Sequence, residues 1–207
     1  KELQANFGTT SIYVTHDFME AMSLGDRIAI INEGKVVQIG TPDDIYYMPC
    51  NEFVAQLMGD PEINIVNGAL HKNGGKFTFE MEDIGAAFVL PEDQELMEKL
   101  ESRAGSRVDM AIRPQNVKYS FEMREGYMKF KVYSYESIGN KSVIEAYKDK
   151  VQFRMIAPNG LNVKIDQDIY LDLQLDHAMF FDAAGKTLIG RYNEAEIRAL
   201  SAEQGGQ

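Results

Sequence analysis

Ile169-Tyr170-Leu171-Asp172-Leu173-Gln174-Leu175-Asp176 alternates an aliphatic with a polar or wet-tolerant side chain at every step. A period of two marks a β-strand with one face buried, because successive side chains leave a strand on opposite sides. Burying each aliphatic is worth about 1.5–3 kcal/mol, so four together fix which face turns inward. The pattern recurs upstream in Phe77, Phe79 and Met81, in Met128, Phe130 and Val132, and in Val151, Phe153 and Met155. One helix interrupts it, Glu92 to Glu101, with Leu96, Met97 and Leu100 on one side. From residue 63 onward the sequence therefore predicts many short strands, an OB-like small β-barrel or sandwich. Alternation leaves barrel closure open.

The first sixty residues read differently. Ser11-Ile12-Tyr13-Val14 is apolar without alternation, as expected of a strand covered on both faces in a parallel sheet. Phe18, Met19, Ala21, Met22 and Leu24 follow at helical spacing, with Gly25 as a left-handed stop. Arg27 to Gln38 predicts two strands around Asn32-Glu33-Gly34-Lys35. Thr41-Pro42-Asp43-Asp44 is a helix start: a capping threonine, proline at the first position and a capping-box acid. A short helix is expected from Asn51 to Leu57. The fold class is mostly β with a short α/β segment at the N-terminal end.

Charge narrows the partners. Lys and Arg number 21 against 32 Asp and Glu among 207 residues, a net charge of −11. Phosphate-backbone binding needs a basic surface, so the balance argues against nucleic acid. A hydrophobic content of 44% is enough for a packed core and excludes a disordered acidic tail. No apolar run approaches the ~20 residues that span a bilayer, so direct membrane insertion is not expected. Lys1-Glu2-Leu3-Gln4 opens without a signal-type apolar segment. The lone cysteine, Cys50, has no intrachain partner, which suits a reducing compartment.

The sharpest candidate for chemistry is His16, directly after Ile12 to Thr15 and before a helix. Ligands in open α/β folds sit beyond the carboxyl ends of strands, where an imidazole can bind phosphate or order an attacking water. It can equally satisfy backbone groups at a strand–helix turn. Gly185-Lys186-Thr187 imitates the end of a P-loop, but Phe180 stands where the first glycine is required. His71 and His177 have no ligands at metal spacing, so no metal site is expected. Lys118, Arg124, Lys129 and Lys131 lie among Tyr119, Tyr127 and Phe130, either a base-stacking surface or a solvated strand face.

Residues 9 to 68 resemble the end of the ATPase domain, and the start of the following domain, in ABC importers of the maltose-type sugar uptake family. The text that carries this is Ser11-Ile12-Tyr13-Val14-Thr15-His16-Asp17, Glu20-Ala21-Met22, Asp26-Arg27-Ile28-Ala29 and Gly40-Thr41-Pro42. It continues through Tyr46, Pro49, Phe53-Val54-Ala55, Gly59, Pro61 and Asn64. Ala111-Ile112-Arg113-Pro114-Gln115, Ile138-Gly139 and Phe181-Asp182 resemble segments of that family's transport-associated OB (TOBE) region, with Gln115 where the family has glutamate.

The resemblance implies residues 1–60 as the C-terminal remnant of the ABC ATPase domain, 61–190 as a TOBE/OB-like regulatory domain and 191–207 as a tail. His16 matches the switch histidine, which in the family contacts the γ-phosphate and helps order the attacking water. The P-loop, signature motif and catalytic glutamate precede that histidine in the family. The full-length parent is thus expected to be an ATPase using ATP and Mg, and this fragment neither an enzyme nor a cofactor binder.

Expected partners are a second copy, forming a homodimer, and the importer's transmembrane permease subunits, with a cytoplasmic location peripheral to the membrane. Tyr133, Tyr135 and Phe180 are candidate dimer contacts, with core packing open for Phe180. The apolar segment at residues 1–15 is expected to pack against a neighbouring copy. The alternative function is a stand-alone OB-like oxyanion sensor, in which Arg113 or converging backbone N–H groups would line a pocket.

Overall fold

A computed structural model of the chain describes residues 9–204. The first eight residues of the expected N-terminal segment and the last three of the tail lie outside them. Helix α1 (Phe18–Leu24) leads into the hairpin β1 (Ile28–Asn32) and β2 (Lys35–Gly40), then α2 (Pro42–Tyr47) and α3 (Glu52–Leu57). Strands β3 (Asn64–Asn73), β4 (Lys76–Met81) and β5 (Ala86–Val89) precede α4 (Gln94–Glu101). Next come β6 (Arg107–Ile112), β7 (Val117–Ser120), β8 (Met128–Ile138), β9 (Lys141–Lys148) and β10 (Val151–Ala157). The chain continues as β11 (Asp168–Leu173), β12 (Met179–Asp182), β13 (Leu188–Arg191) and α5 (Glu194–Gln204).

Beyond the hairpin lie two larger sheets. One has five strands in the order β10-β9-β8-β11-β7, the other six in the order β13-β12-β6-β3-β4-β5. Phe77, Phe79 and Leu70 from the six-stranded sheet share a core with Phe130, Phe153, Ile169 and Leu171 from the five-stranded one. Leu96 and Leu100 of α4 close that core. The alternating residues of the sequence face it as their period demands, Phe77, Phe79 and Met81 along β4 and Val151, Phe153 and Met155 along β10. The pattern of β11 stops earlier than expected. Leu173 is its last strand residue, and Leu175 belongs to a short 3-10 turn at Leu175–His177, half-buried.

The helical lobe has its own small core of Ile28, Ile30, Ile45, Val54 and Met58, with Phe18, Ala21 and Met22 of α1 packed on it. The hairpin turns at Glu33 and Gly34, both at positive φ (49° and 73°), the geometry that matches strand twist. Thr41 accepts from the Asp44 amide while Asp44 accepts from the Thr41 amide, completing the capping box. Ala55, also on α3, joins Ile63, Ala111, Met179 and Phe181, so this helix carries the lobe onto the six-stranded sheet.

Two expectations are corrected, and the open choice for Phe180 is decided. Ser11–Val14 is not a strand, and every strand pairing among the described residues is antiparallel. Ile12 is 92% and Val14 89% exposed, so no sheet covers them. Gly25 ends α1 in extended conformation (φ −72°, ψ 138°), not left-handed. Its glycine is explained by space, since a Cβ there would lie 2.9 Å from the Ala21 carbonyl oxygen. Phe180 is fully buried, packed edge-on against Phe79 and Tyr192, and belongs to the core.

Candidate functional site

His16 occupies an exposed turn just before α1. The side chains of Tyr13 and Thr15, just before it, are tied to one acid. Tyr13 Oη and Thr15 Oγ1 donate to Glu20 Oε2 at 3.0 and 2.8 Å, and the Asp17 amide donates to Thr15 Oγ1 at 3.0 Å. Asp17 then caps the helix, accepting from the Met19 and Glu20 amides at 2.8 and 3.2 Å. Hydrogen bonding to Glu20, and its charge, raise the Tyr13 phenol above its ordinary range. The imidazole of His16 makes no hydrogen bond to any described residue. A histidine satisfying backbone groups is therefore not what the turn holds; the ring is presented outward on a fixed backbone.

Among the described residues there is no group of three His, Cys, Asp or Glu side chains that could hold a metal ion. The other singled-out residues have structural partners instead. His71 pairs with Glu80 at 3.1 Å across β3 and β4, and His177 lies 3.9 Å from Asp176. Asp44 caps α2, and the Cys50 thiol, raised by burial, points at the Val37 carbonyl. Lys118 stands opposite Asp172 and Lys131 opposite Asp168, while Lys129 pairs with Asp168 at 2.6 Å. That face is a neutralised, wet strand surface. Tyr135 is half-buried, its hydroxyl accepting from the Leu161 amide and Ser142 at 3.1 Å each.

Arg113 is committed to backbone carbonyls. It is 4% exposed, donates from Nη1 to the Met58 carbonyl at 2.7 Å and from Nη2 to the Tyr46 carbonyl, and stacks 3.6 Å above the Tyr46 ring centroid. Arg191, which sequence reasoning missed, does the same for the next residue. Its Nη1 donates to the Tyr47 carbonyl at 2.8 Å and its Nε to the Tyr192 carbonyl at 3.0 Å. Two cations thus cap the C-terminal carbonyls of α2, where the helix dipole is negative. Burial, and then the neighbouring Arg113, lower Arg191 to about 10, so Arg191 stays charged at neutral pH. These contacts fasten the lobe that carries His16 to the sheets.

No family model matches the chain. Individual proteins do. The trehalose/maltose import ATP-binding protein MalK of Thermococcus litoralis is 30% identical over 199 residues, covering 91% of this chain and 51% of that protein. The uncharacterized ABC transporter ATP-binding protein YurJ of Bacillus subtilis is 29% identical over 185 residues, 88% of this chain and 50% of that one. The xylose/arabinose import ATP-binding protein XacK of Haloferax volcanii is 36% identical over 146 residues, 70% and 35% respectively. Among solved structures, the cytoplasmic molybdate-binding protein ModG with molybdate bound superimposes at TM-score 0.46 and 12% identity, over 56% of this chain and 94% of that one. The chain spans about half the length of the curated relatives it matches. It belongs to the family of ATP-binding subunits of sugar-type ABC importers, and corresponds to the C-terminal half of those relatives.

Proposed function

We propose that this chain is the regulatory and dimerisation region of an ATP-binding subunit that drives import of a sugar or related solute. The match to import ATP-binding subunits over nine-tenths of the chain carries the reading. Residues 1–60 then close the nucleotide-binding domain, 61–190 form the regulatory domain and 191–207 the tail. In the full-length parent His16 faces the γ-phosphate, and its outward ring, beside side chains tied to Glu20, suits that role. ATP and Mg belong to the parent. The permease subunits bring the parent to the cytoplasmic side of the membrane. Among the described residues no helix is long and apolar enough to cross a membrane.

Phosphoryl transfer needs a cradle of backbone N–H groups, a lysine, a metal site and a positioned water. One imidazole contact supplies roughly 1–3 kcal/mol, against the ~8 kcal/mol of micromolar affinity. Calorimetric titration of this chain with Mg-ATP is therefore expected to show no micromolar binding. In the parent, His16→Ala is expected to abolish turnover while nucleotide binding persists; near-normal ATPase activity would remove His16 from the mechanism.

A further inference from the structure

The start of α3 is strapped to the turn between β12 and β13. The Glu52 amide donates to the Lys186 carbonyl at 3.0 Å, the Leu188 amide to the Cys50 carbonyl at 3.0 Å, and Asn51 bridges Thr187. Beneath this strap two carboxyl groups meet one ammonium. Lys186 Nζ lies 2.6 Å from Asp109 Oδ2 and 3.4 Å from Glu52 Oε1. The Asp109 side chain is 3% exposed and that of Glu52 13%, whereas Lys186 is 52% exposed. Glu52 Oε1 is buried and has no hydrogen-bond partner.

The other charged and polar groups around the pair are already committed. Asn67 of β3 donates to Asp109 Oδ1 at 2.7 Å and accepts from Arg107 Nε at 2.6 Å. Arg107 also pairs with Glu82, and Asp182 with Arg103, while Asp182 accepts from the Ala184 and Gly185 amides. Lys186 is thus the single cation in direct contact with Glu52 and Asp109 among the described residues. Two ionised carboxylates at this depth would leave a net negative charge with one oxygen unsatisfied, which a buried site does not tolerate.

We propose that Glu52 and Asp109 share one proton at this junction, and that losing it loosens the strap joining the helical lobe to the six-stranded sheet. Burial, and then hydrogen bonding with the Asp109 carboxylate, push Glu52 up from 4.5 to about 7, with Lys186 opposing. Asp109, despite its own burial, is held below its ordinary range by Glu52, Lys186 and Asn67 as donors. The shared proton therefore sits mainly on Glu52. A carboxyl raised on closure stabilises the closed strap fully below its open-state value near 4.5, and this contribution is lost as pH rises through about 7. The closed-to-open ratio consequently falls about tenfold between pH 6 and pH 8. The effect lies in the neutral range and does not depend on which solute is carried.

Hydrogen exchange of the Glu52 and Leu188 amides, corrected for the intrinsic pH dependence, tests this on the whole chain. Protection should fall about tenfold from pH 6 to pH 8, while that of Ile144 in β9 stays level. Glu52→Gln keeps a donor toward Asp109 and should remove the fall; a variant that retains it overturns the proposal. The Glu52 carboxyl carbon, followed by NMR in the unaltered protein, should titrate near 7, and a midpoint near 4.5 overturns the proposal without any variant. Lys186→Met should move that midpoint upward, and a downward shift would equally count against it.

Discussion

Arg113 shows how a residue visible in the sequence can still hide its task. Its place in Ala111-Ile112-Arg113-Pro114-Gln115 is plain, but its acceptors are backbone carbonyls 55 and 67 positions earlier, which have no signature of their own. Removing one partner from buried polar groups costs more than the net worth of the bonds, because the carbonyls left behind cannot rehydrate. Arg113→Ala should destabilise the chain by about 2–5 kcal/mol in urea unfolding. Arg113→Lys keeps the charge but has no planar fork to span two carbonyls, so it should recover less than half. A loss below about 0.5 kcal/mol for Arg113→Ala would mean that the clamp holds nothing. Asp109 did carry a readable signal: an acid set between Val108 and Met110 in a strand buried from Val108 onward. A charge in such a run demands a partner. What the sequence could not supply was Lys186, 77 positions away.

At the scale of elements, local chemistry was most readable where each residue's role is settled by near neighbours. The capping box at Thr41 and Asp44, the positive-φ turn at Glu33-Gly34 and the alternation in β4 and β10 all depend on contacts or faces fixed locally. Ser11–Val14 fails because a continuous apolar run states only that something must cover it, not that a strand partner exists. The difference is measurable. Ile12→Asp and Val14→Asp should each change stability by less than about 0.5 kcal/mol, as exposed positions do. Phe79→Ala, which empties a fully buried site in the shared core, should cost about 3–5 kcal/mol. A loss above about 2 kcal/mol for either aspartate variant would show the segment to be packed, on its own chain or on a neighbouring copy.

The whole molecule joins a helical lobe to two sheets, whose end strands are β10 and β7 on one and β13 and β5 on the other. On the reading proposed above, paired ATPase subunits separate and re-close, and a contact between these sheet domains would keep the pair together meanwhile. With Phe180 withdrawn into the core and Tyr135 half-buried, Tyr133 is the exposed one of the three candidates, 55% exposed and edge-on to Tyr147 at 6.3 Å. A charge of −11 on each copy opposes their approach, and salt screens that repulsion over a Debye length of about 10 Å at 0.1 M. Self-association of this chain should therefore strengthen with added salt, the reverse of what an ion-pair interface would do. Sedimentation at high micromolar concentration should show dimer, more of it at half-molar salt, and less for Tyr133→Glu. Monomer alone at both salt levels would rule out a dimer held by this region.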